Sequence, residues 1–294
     1  MEAFAYRAPT ALDEAIAILA DALKSGQRAQ LMAGGTDLLV QLRVVDKSPR
    51  TIVDIKRIPE TTRLEIGAKE VIIGAAIKAA ELVKNQALAA LYPGLIEALD
   101  LIGSTQIQGR ASLGGNLCNS SPAGDTIPAL IACGAICQIR GPKGAREMAA
   151  EDFVTGVQKN ALAKDELLVS LKLPRPAARS SDAYLRFIPR TEMDIAVVGV
   201  GVALTLDDNG MCTAARVGIG AVAPRSLLVP AAASALICTK VDEAALTAAG
   251  KACTAASSPI SDKRGTADYR RRIVAVLCRR AGQIALDRAR GATA

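Results

Sequence analysis

The sequence contains no histidine and no tryptophan, and only three phenylalanines and four tyrosines in 294 residues. The absence of imidazole excludes Ser-His-Asp and Cys-His nucleophilic schemes, histidine general bases and His-bearing metal centres. The shortage of aromatic rings removes any stacking platform for single-stranded nucleic acid. No CxxC pair occurs among the seven cysteines (118, 133, 137, 212, 238, 253 and 278), so the four-thiolate spacing of an iron–sulfur cluster is missing. Cys133 and Cys137, the closest pair, lie in an apolar stretch and read as buried free thiols. An odd count without a basic-then-apolar leader fits a reducing, cytoplasmic setting. Long apolar runs are missing too. The longest, such as 127–137 and 195–206, are interrupted by Pro or Gly and are too short for a bilayer.

Half of the residues are apolar, which marks a globular chain. The length suffices for two or three compact units with cores of their own. The net charge of +7 is unevenly placed: residues 262–294 hold nine Lys/Arg against three Asp, a balance of +6, which leaves +1 for the rest. The basic end therefore reads as a solvated or partner-facing helix rather than a nucleic-acid footprint.

Leu12, Ile16, Leu19 and Leu23 recur at helical spacing and predict a helix over 11–25, N-capped by Thr10 and closed by Gly26. A strand at 30–33, a helix at 37–43 and a strand at 51–55 complete a first unit, 1–58, poor as an independent domain. Pro59 opens a second unit, 59–176. It is predicted to hold strands at 63–66 and 70–74, helices at 77–84 and 86–99, a helix-then-strand over 129–139, and a strand at 167–173 closed by Pro174 and Pro176. The third unit, 177–294, is predicted to hold strands at 183–190, 196–206 and 211–221, with Asp208-Asn209-Gly210 as a hairpin turn and Pro224-Arg225 as the stop. Helices at 231–238, 243–256 and 267–290 follow. That order predicts a three-stranded antiparallel sheet with helices on one face, in an α+β chain.

The chemistry concentrates in two glycine segments. Ser112-Leu113-Gly114-Gly115-Asn116-Leu117 leads through Ser121 and Pro122 to Asp125. Adjacent glycines let a backbone approach a ligand closely and turn its N–H groups toward an anion. Asn116 and the serines can hydrogen-bond a polar ligand, and Asp125 can accept from ribose hydroxyls. The earlier segment, Ala33-Gly34-Gly35-Thr36-Asp37-Leu38, repeats the plan of strand, Gly-Gly turn, hydroxyl and apolar helix start. Taken singly, such a pair is more often an ordinary tight turn than a ligand seat, and neither segment is a GxGxxG fingerprint or a P-loop.

Together the two segments resemble the FAD-binding medium subunit of the molybdenum hydroxylases, the family of aerobic carbon monoxide dehydrogenase flavoproteins and xanthine dehydrogenase flavin domains. The family patterns look like AGG(T/H)(D/S)LL and (T/S)(L/I)GGN followed by SP..D..PAL. Here they stand as Ala33 to Leu39, and as Ser112 to Asn116 with Ser121, Pro122, Asp125, Pro128, Ala129 and Leu130. A third segment, Tyr184-Leu185-Arg186-Phe187 and then Asp194-Ile195-Ala196, follows in order, and the resemblance covers essentially the whole chain. It implies a two-part PCMH-type (vanillyl-alcohol-oxidase-like) FAD-binding domain and a C-terminal domain with the three-stranded antiparallel sheet and helices. It implies that Ala33, Gly34, Gly35, Thr36, Asp37 and Leu38, with Ser112, Gly114, Gly115 and Asn116, hold the diphosphate of FAD. Asp125 would bind sugar hydroxyls, Leu117 and Leu168 would wall the flavin or else serve as plain core leucines, and Arg186 would be a fixed cation near the ring.

Two departures from the family pattern stand out. Ile195 occupies the position of a family tyrosine, and the approach Gln106-Ile107-Gln108-Gly109-Arg110-Ala111 lacks the family's arginine and asparagine. Without histidine, and with no cysteine in a flavin-attachment motif, the FAD is expected to be non-covalent. The resemblance places the molybdenum cofactor and the [2Fe–2S] clusters on partners, a large molybdopterin subunit and a small iron–sulfur subunit, in a dimer of heterotrimers. Electrons would leave to NAD+, oxygen or a quinone, with no nucleic acid and no membrane span involved. A stand-alone FAD-dependent reductase on the same fold remains the alternative, and a basic nucleotide- or nucleic-acid-binding module a third reading.

Overall fold

The computed structural model describes residues 4–44, 49–190 and 193–291. Residues 1–3, 45–48, 191–192 and 292–294 lie outside the described residues. The first elements in chain order are β1 (Ala5–Arg7), α1 (Leu12–Lys24), β2 (Arg28–Met32), α2 (Leu38–Val44) and β3 (Arg50–Asp54). They form a parallel sheet in the order β1-β3-β2. Helix α1 buries Ala15, Ile16, Leu19 and Ala22, and this face packs with Val53, Ile55 and Ile58. Its end is a Schellman closure: Gly26 takes φ +70°, and the Gln27 N–H donates to the Ala22 carbonyl at 2.9 Å. Its start differs from expectation. Ala11, not Thr10, is the N-cap and offers no side-chain bond. The Thr10 N–H instead donates to Glu14, which leaves the threonine one residue too early to cap.

The second group comprises α3 (Pro59–Thr62), β4 (Leu64–Ile66), β5 (Glu70–Gly74), α4 (Ala79–Val83), α5 (Gln86–Leu91), α6 (Pro93–Asp100), α7 (Thr105–Gln108), α8 (Leu113–Asn119), α9 (Thr126–Ala132), β6 (Ile136–Gly141) and β7 (Gly144–Ala149). It continues with α10 (Ala150–Phe153), β8 (Val154–Gly156), β9 (Lys159–Asn160) and β10 (Leu167–Pro174). Its five-stranded sheet runs β4-β5-β10-β6-β7, antiparallel throughout. The helix expected over 86–99 is two helices. Pro93 has no N–H to continue α5 and instead occupies the first position of α6.

The last group comprises β11 (Ser180–Phe187), β12 (Val198–Leu206), β13 (Cys212–Gly220), β14 (Leu227–Leu228), α11 (Pro230–Leu236), α12 (Glu243–Ala256) and α13 (Ala267–Ala289). The expected antiparallel sheet is present, with one correction: it has four strands, β11-β12-β13-β14. After the break at Pro224-Arg225 the chain returns for two residues and pairs Gly218 with Leu228 and Ile219 with Leu227. One face of this sheet packs on α11–α13. The other carries Gly201 and Gly218, at which an added Cβ would press on the Pro128 carbonyl, and Gly220, where it would meet the Pro128 ring. Helix α9 therefore lies directly against the strands, and this approach brings Asp125 to β11.

Asp182 joins the last two groups. Its carboxylate accepts from the Gly94 and Leu95 N–H groups at the start of α6, at 3.1 and 2.9 Å, and from the Cys133 thiol at 3.3 Å. Burial pushes its pKa up to about 6. A carboxyl raised in the fold contributes stability that is complete below its unfolded value and lost as pH rises through about 6. The wild-type chain is accordingly expected to gain stability over Asp182→Asn as pH falls from 7 to 5, read as urea midpoints. A gap that stays constant would refute the shift.

Candidate functional site

Strand β2 delivers Ala33 and Gly34 to a turn in which Gly35 takes φ +77°, a conformation that suits glycine. Helix α2 follows, tied back by the Leu39 N–H to the Gly35 carbonyl at 3.0 Å and the Gln41 N–H to the Asp37 carbonyl at 3.0 Å. Leu38 turns inward with Leu42 and Ile52. Among the described residues, the N–H groups of Gly34, Gly35, Thr36 and Asp37 donate to no acceptor of the chain. Gly34 is buried, Gly35 and Thr36 are half-buried and Asp37 is exposed, so these donors are open to water or to an acceptor from outside the chain. Asp37 meets solvent, while protein mass behind it still raises its carboxyl pKa.

Sequence reasoning missed the support of this turn. The Lys56 ammonium donates to the Ala33 carbonyl at 2.7 Å and to Asp54 Oδ1 at 2.7 Å, and the Tyr6 hydroxyl donates to Asp54 Oδ2 at 2.6 Å. Burial alone would raise the Asp54 pKa, but the bonds from Lys56 and Tyr6 outweigh it and hold it below the ordinary value. A lysine two residues beyond the end of a parallel strand, where α/β sheets keep their binding crevices, was the available signal.

The second glycine segment is a helix, α8, and not a loop. Ser112 caps it, with its Oγ accepting from the Gly115 N–H at 3.1 Å. The Gly114 N–H donates to the Ala75 carbonyl at 3.1 Å, and the Asn116 N–H to the Ser112 carbonyl at 2.9 Å. Unlike those of the first turn, the N–H groups of Gly114, Gly115 and Asn116 are therefore committed within the chain. Gly115 is helical, so its demand is for space and not for a left-handed backbone. The Asn116 side-chain oxygen accepts from Thr126 at 2.8 Å, which fixes the amide, and its nitrogen has no acceptor among the described residues.

The two segments meet. A Cβ on Gly34 would overlap the Arg110 carbonyl, and one on Gly115 would lie 4.0 Å from the Ala33 Cβ. Gln41 donates to Asn119 at 3.0 Å and so links α2 to α8. A cleft of about 320 Å³ opens between Thr36, Asp37 and Gln41 on one side and Asn119 and Ser121 on the other, with Val157 and Gln158 also lining it.

Asp125 and Arg186 also come together, as an ion pair. Arg186 donates to Asp125 Oδ2 at 2.9 Å and the Tyr184 hydroxyl to Oδ1 at 3.1 Å. The side chains are 12% and 5% exposed, Asp125 the more open of the two. Burial pushes the Asp125 pKa up to about 6, against the opposing pull of Arg186 and the bond from Tyr184. The Arg186 Nε, buried, has no partner among the described residues. Leu117 and Leu168 are 0% and 2% exposed and sit inside the central core cluster. Ile195 is 52% exposed, next to Asp194, which pairs with Arg190 at 3.2 Å and Arg264 at 3.5 Å.

Residues 2–176 match the family described as the FAD binding domain in molybdopterin dehydrogenase, and residues 183–285 match the CO dehydrogenase flavoprotein C-terminal domain. The chain is 33% identical over 288 residues to the carbon monoxide dehydrogenase medium chain of Afipia carboxidovorans, covering 98% of each. It is 31% identical over 225 residues to the nicotinate dehydrogenase FAD-subunit of Eubacterium barkeri, covering 76% of this chain and 75% of that one. It superposes with a TM-score of 0.92, at 31% identity and 98% coverage of both chains, on a chain of the Hydrogenophaga pseudoflava carbon monoxide dehydrogenase that lacks the Mo-pyranopterin moiety. The two family matches follow one another along a single chain, from 2–176 to 183–285, and the chain therefore belongs to the FAD-binding flavoproteins of the molybdopterin dehydrogenases.

Proposed function

We propose that this chain is the FAD-carrying medium subunit of a heteromeric molybdenum hydroxylase. Electrons enter from a [2Fe–2S] cluster on a small subunit and leave to NAD+, oxygen or a quinone. The organic substrate is hydroxylated at a molybdenum cofactor on a large subunit, in a dimer of heterotrimers. Bound FAD supplies the redox chemistry. The chain supplies the seat and the electrostatics. One observation carries this reading: the run of unpaired N–H groups from Gly34 to Asp37, beside a cleft between two units. Diphosphate oxygens are the acceptors those donors lack, and the Thr36 hydroxyl adds another donor.

The second segment contributes differently from the first. Its N–H groups are spent, so Ser112 and Gly114 serve by holding α8 in place, Gly115 by leaving room beside Ala33, and Asn116 by its free amide nitrogen. Each Asp125 oxygen keeps a lone pair for a sugar hydroxyl. The pair of Asp125 with Arg186 holds β11 to this corner. The units 1–58, 59–176 and 177–294 are proposed as the domain division. The described cysteines are all free thiols, which supports a cytoplasmic setting, and no helix among the described residues is long and apolar enough to cross a membrane.

The test is to produce the full chain alone, load it with FAD and record its spectrum and metal content. Flavin absorbance alone is expected, with no stoichiometric iron or molybdenum and no hydroxylation of candidate substrates. All flavin should remain in the supernatant after acid precipitation, since the attachment is non-covalent. Expressed in its native host, the chain should co-purify with two other chains. Turnover of an organic substrate by the lone chain would establish a self-contained reductase instead.

A further inference from the structure

Strands β2 and β3 run parallel and in register to Met32 and Asp54, and their ladder ends with the Ile55 N–H donating to the Met32 carbonyl at 3.1 Å. The next carbonyl, that of Ala33, has no ladder partner. The Lys56 side chain reaches it at 2.7 Å and so extends the ladder by one bond. Asp54 holds the ammonium at 2.7 Å, Tyr6 holds Asp54 from its other oxygen at 2.6 Å, and the Lys56 N–H donates to Asp54 Oδ1 at 3.0 Å. Lys56 and Asp54 have side chains only 24% and 9% exposed, so the arrangement is held by the protein rather than by solvent.

A trans peptide points its C=O and N–H in opposite directions, and no cis peptide occurs among the described residues. Fixing the Ala33 carbonyl on Lys56 therefore fixes the Gly34 N–H on the opposite side, the first of the unpaired donors. We propose that Lys56, backed by Asp54 and Tyr6, is a positioning residue that orients the Ala33–Gly34 peptide and presents its N–H to the diphosphate of FAD. This rests on the reading of Gly34–Asp37 as the diphosphate seat. Lys56 acts through orientation. Its charge is balanced by Asp54, so it adds little long-range attraction, and its value lies in a donor already aimed before the ligand arrives.

The experiment uses the full-length apo chain, isotope-labelled, titrated with FAD and separately with ADP as a diphosphate probe. In the wild type the Gly34 and Gly35 amide resonances are expected to shift with both ligands. If neither moves, the seat itself is misplaced and the proposal falls with it. If they do move, Lys56→Met should raise the FAD dissociation constant about tenfold or more, the scale of a lost charged hydrogen bond, and should abolish the Gly34 shift. Lys56→Arg, which keeps a cationic donor, should recover affinity to within about threefold of wild type on the same scale. A merely structural role would move apo stability but would not show this rescue of the Gly34 signal. Should Lys56→Met fail to fold, Tyr6→Phe reads the same chain of bonds from a ring 49% exposed, with FAD weakened about threefold, less than the loss of a full charged bond. Wild-type affinity in whichever variant is read, with Gly34 and Gly35 still responding, would overturn the role of Lys56 while leaving the seat in place.

Discussion

Gly34→Val is expected to weaken FAD binding at least about tenfold, some 1.4 kcal/mol of binding energy. The first atom of the new side chain would fall on the Arg110 carbonyl oxygen, and the Arg110 carbonyl carbon and Ala111 nitrogen lie close behind. All three are backbone atoms and cannot rotate away. Relief requires the glycine turn to withdraw from the turn that joins α7 to α8, which parts the run of N–H donors from the neighbouring cap. Overpacking of this kind costs about 1–3 kcal/mol or more, and the displacement falls on the diphosphate seat itself. Gly26→Ala is the matched control. Its side chain would enter open space and only its left-handed backbone objects, so it should lose about 1 kcal/mol of stability and keep its flavin. Flavin absorbance per chain after gel filtration decides the matter: full occupancy in Gly34→Val would mean that the diphosphate lies elsewhere.

The second large effect is an asymmetry. Asp125→Ala strands the Arg186 guanidinium without its counter-ion, in a site where its side chain is 5% exposed. The expected loss is about 3–5 kcal/mol, the cost of an unpaired buried charge. Arg186→Met leaves Asp125, whose pKa burial has already pushed up to about 6. Without the cation it rises further, more of the carboxyl is neutral at pH 7, and the loss is expected to shrink to about 1 kcal/mol, one hydrogen bond. The comparison is between urea midpoints of the two apo variants at pH 7. Equal losses, or a larger loss for Arg186→Met, would show that Asp125 is ionised and stabilised in a way the burial of the pair does not predict.

Much of the fold was legible because its signals are local. The apolar spacing of α1, the Gly26 closure and the Asp208-Asn209-Gly210 hairpin are each read from a few neighbouring residues. The family motifs were legible for the same reason. Helix α8 was not: two glycines lower helix propensity by roughly 1 kcal/mol each, and the hydroxyls around them read as turn-formers. It forms because Ser112 caps it and Ala75 accepts the Gly114 N–H from another part of the chain. The break at Pro93 was masked by Leu88, Leu91, Leu95 and Leu99, which keep one face in phase across it. The site's polar pairs were the least legible. Arg186 lies 61 residues from Asp125 and Lys56 lies 23 from Ala33, and no periodicity links positions so far apart. Leu117 and Leu168 show the converse. The family resemblance suggested a ligand wall, while both side chains lie buried in the core.

The glycines of β12 and β13 that face Pro128 have a consequence for how this chain can vary among its descendants. At most interior positions a larger residue on one side can be answered by a smaller one opposite, so lineages drift through paired substitutions. At Gly201 and Gly218 the opposing atom is the Pro128 carbonyl oxygen, which every amino acid carries. No compensating codon exists. The joint between α9 and the C-terminal sheet is thus closed to gradual repacking, and homologous C-terminal halves should be exchangeable between relatives only when both glycines travel with them.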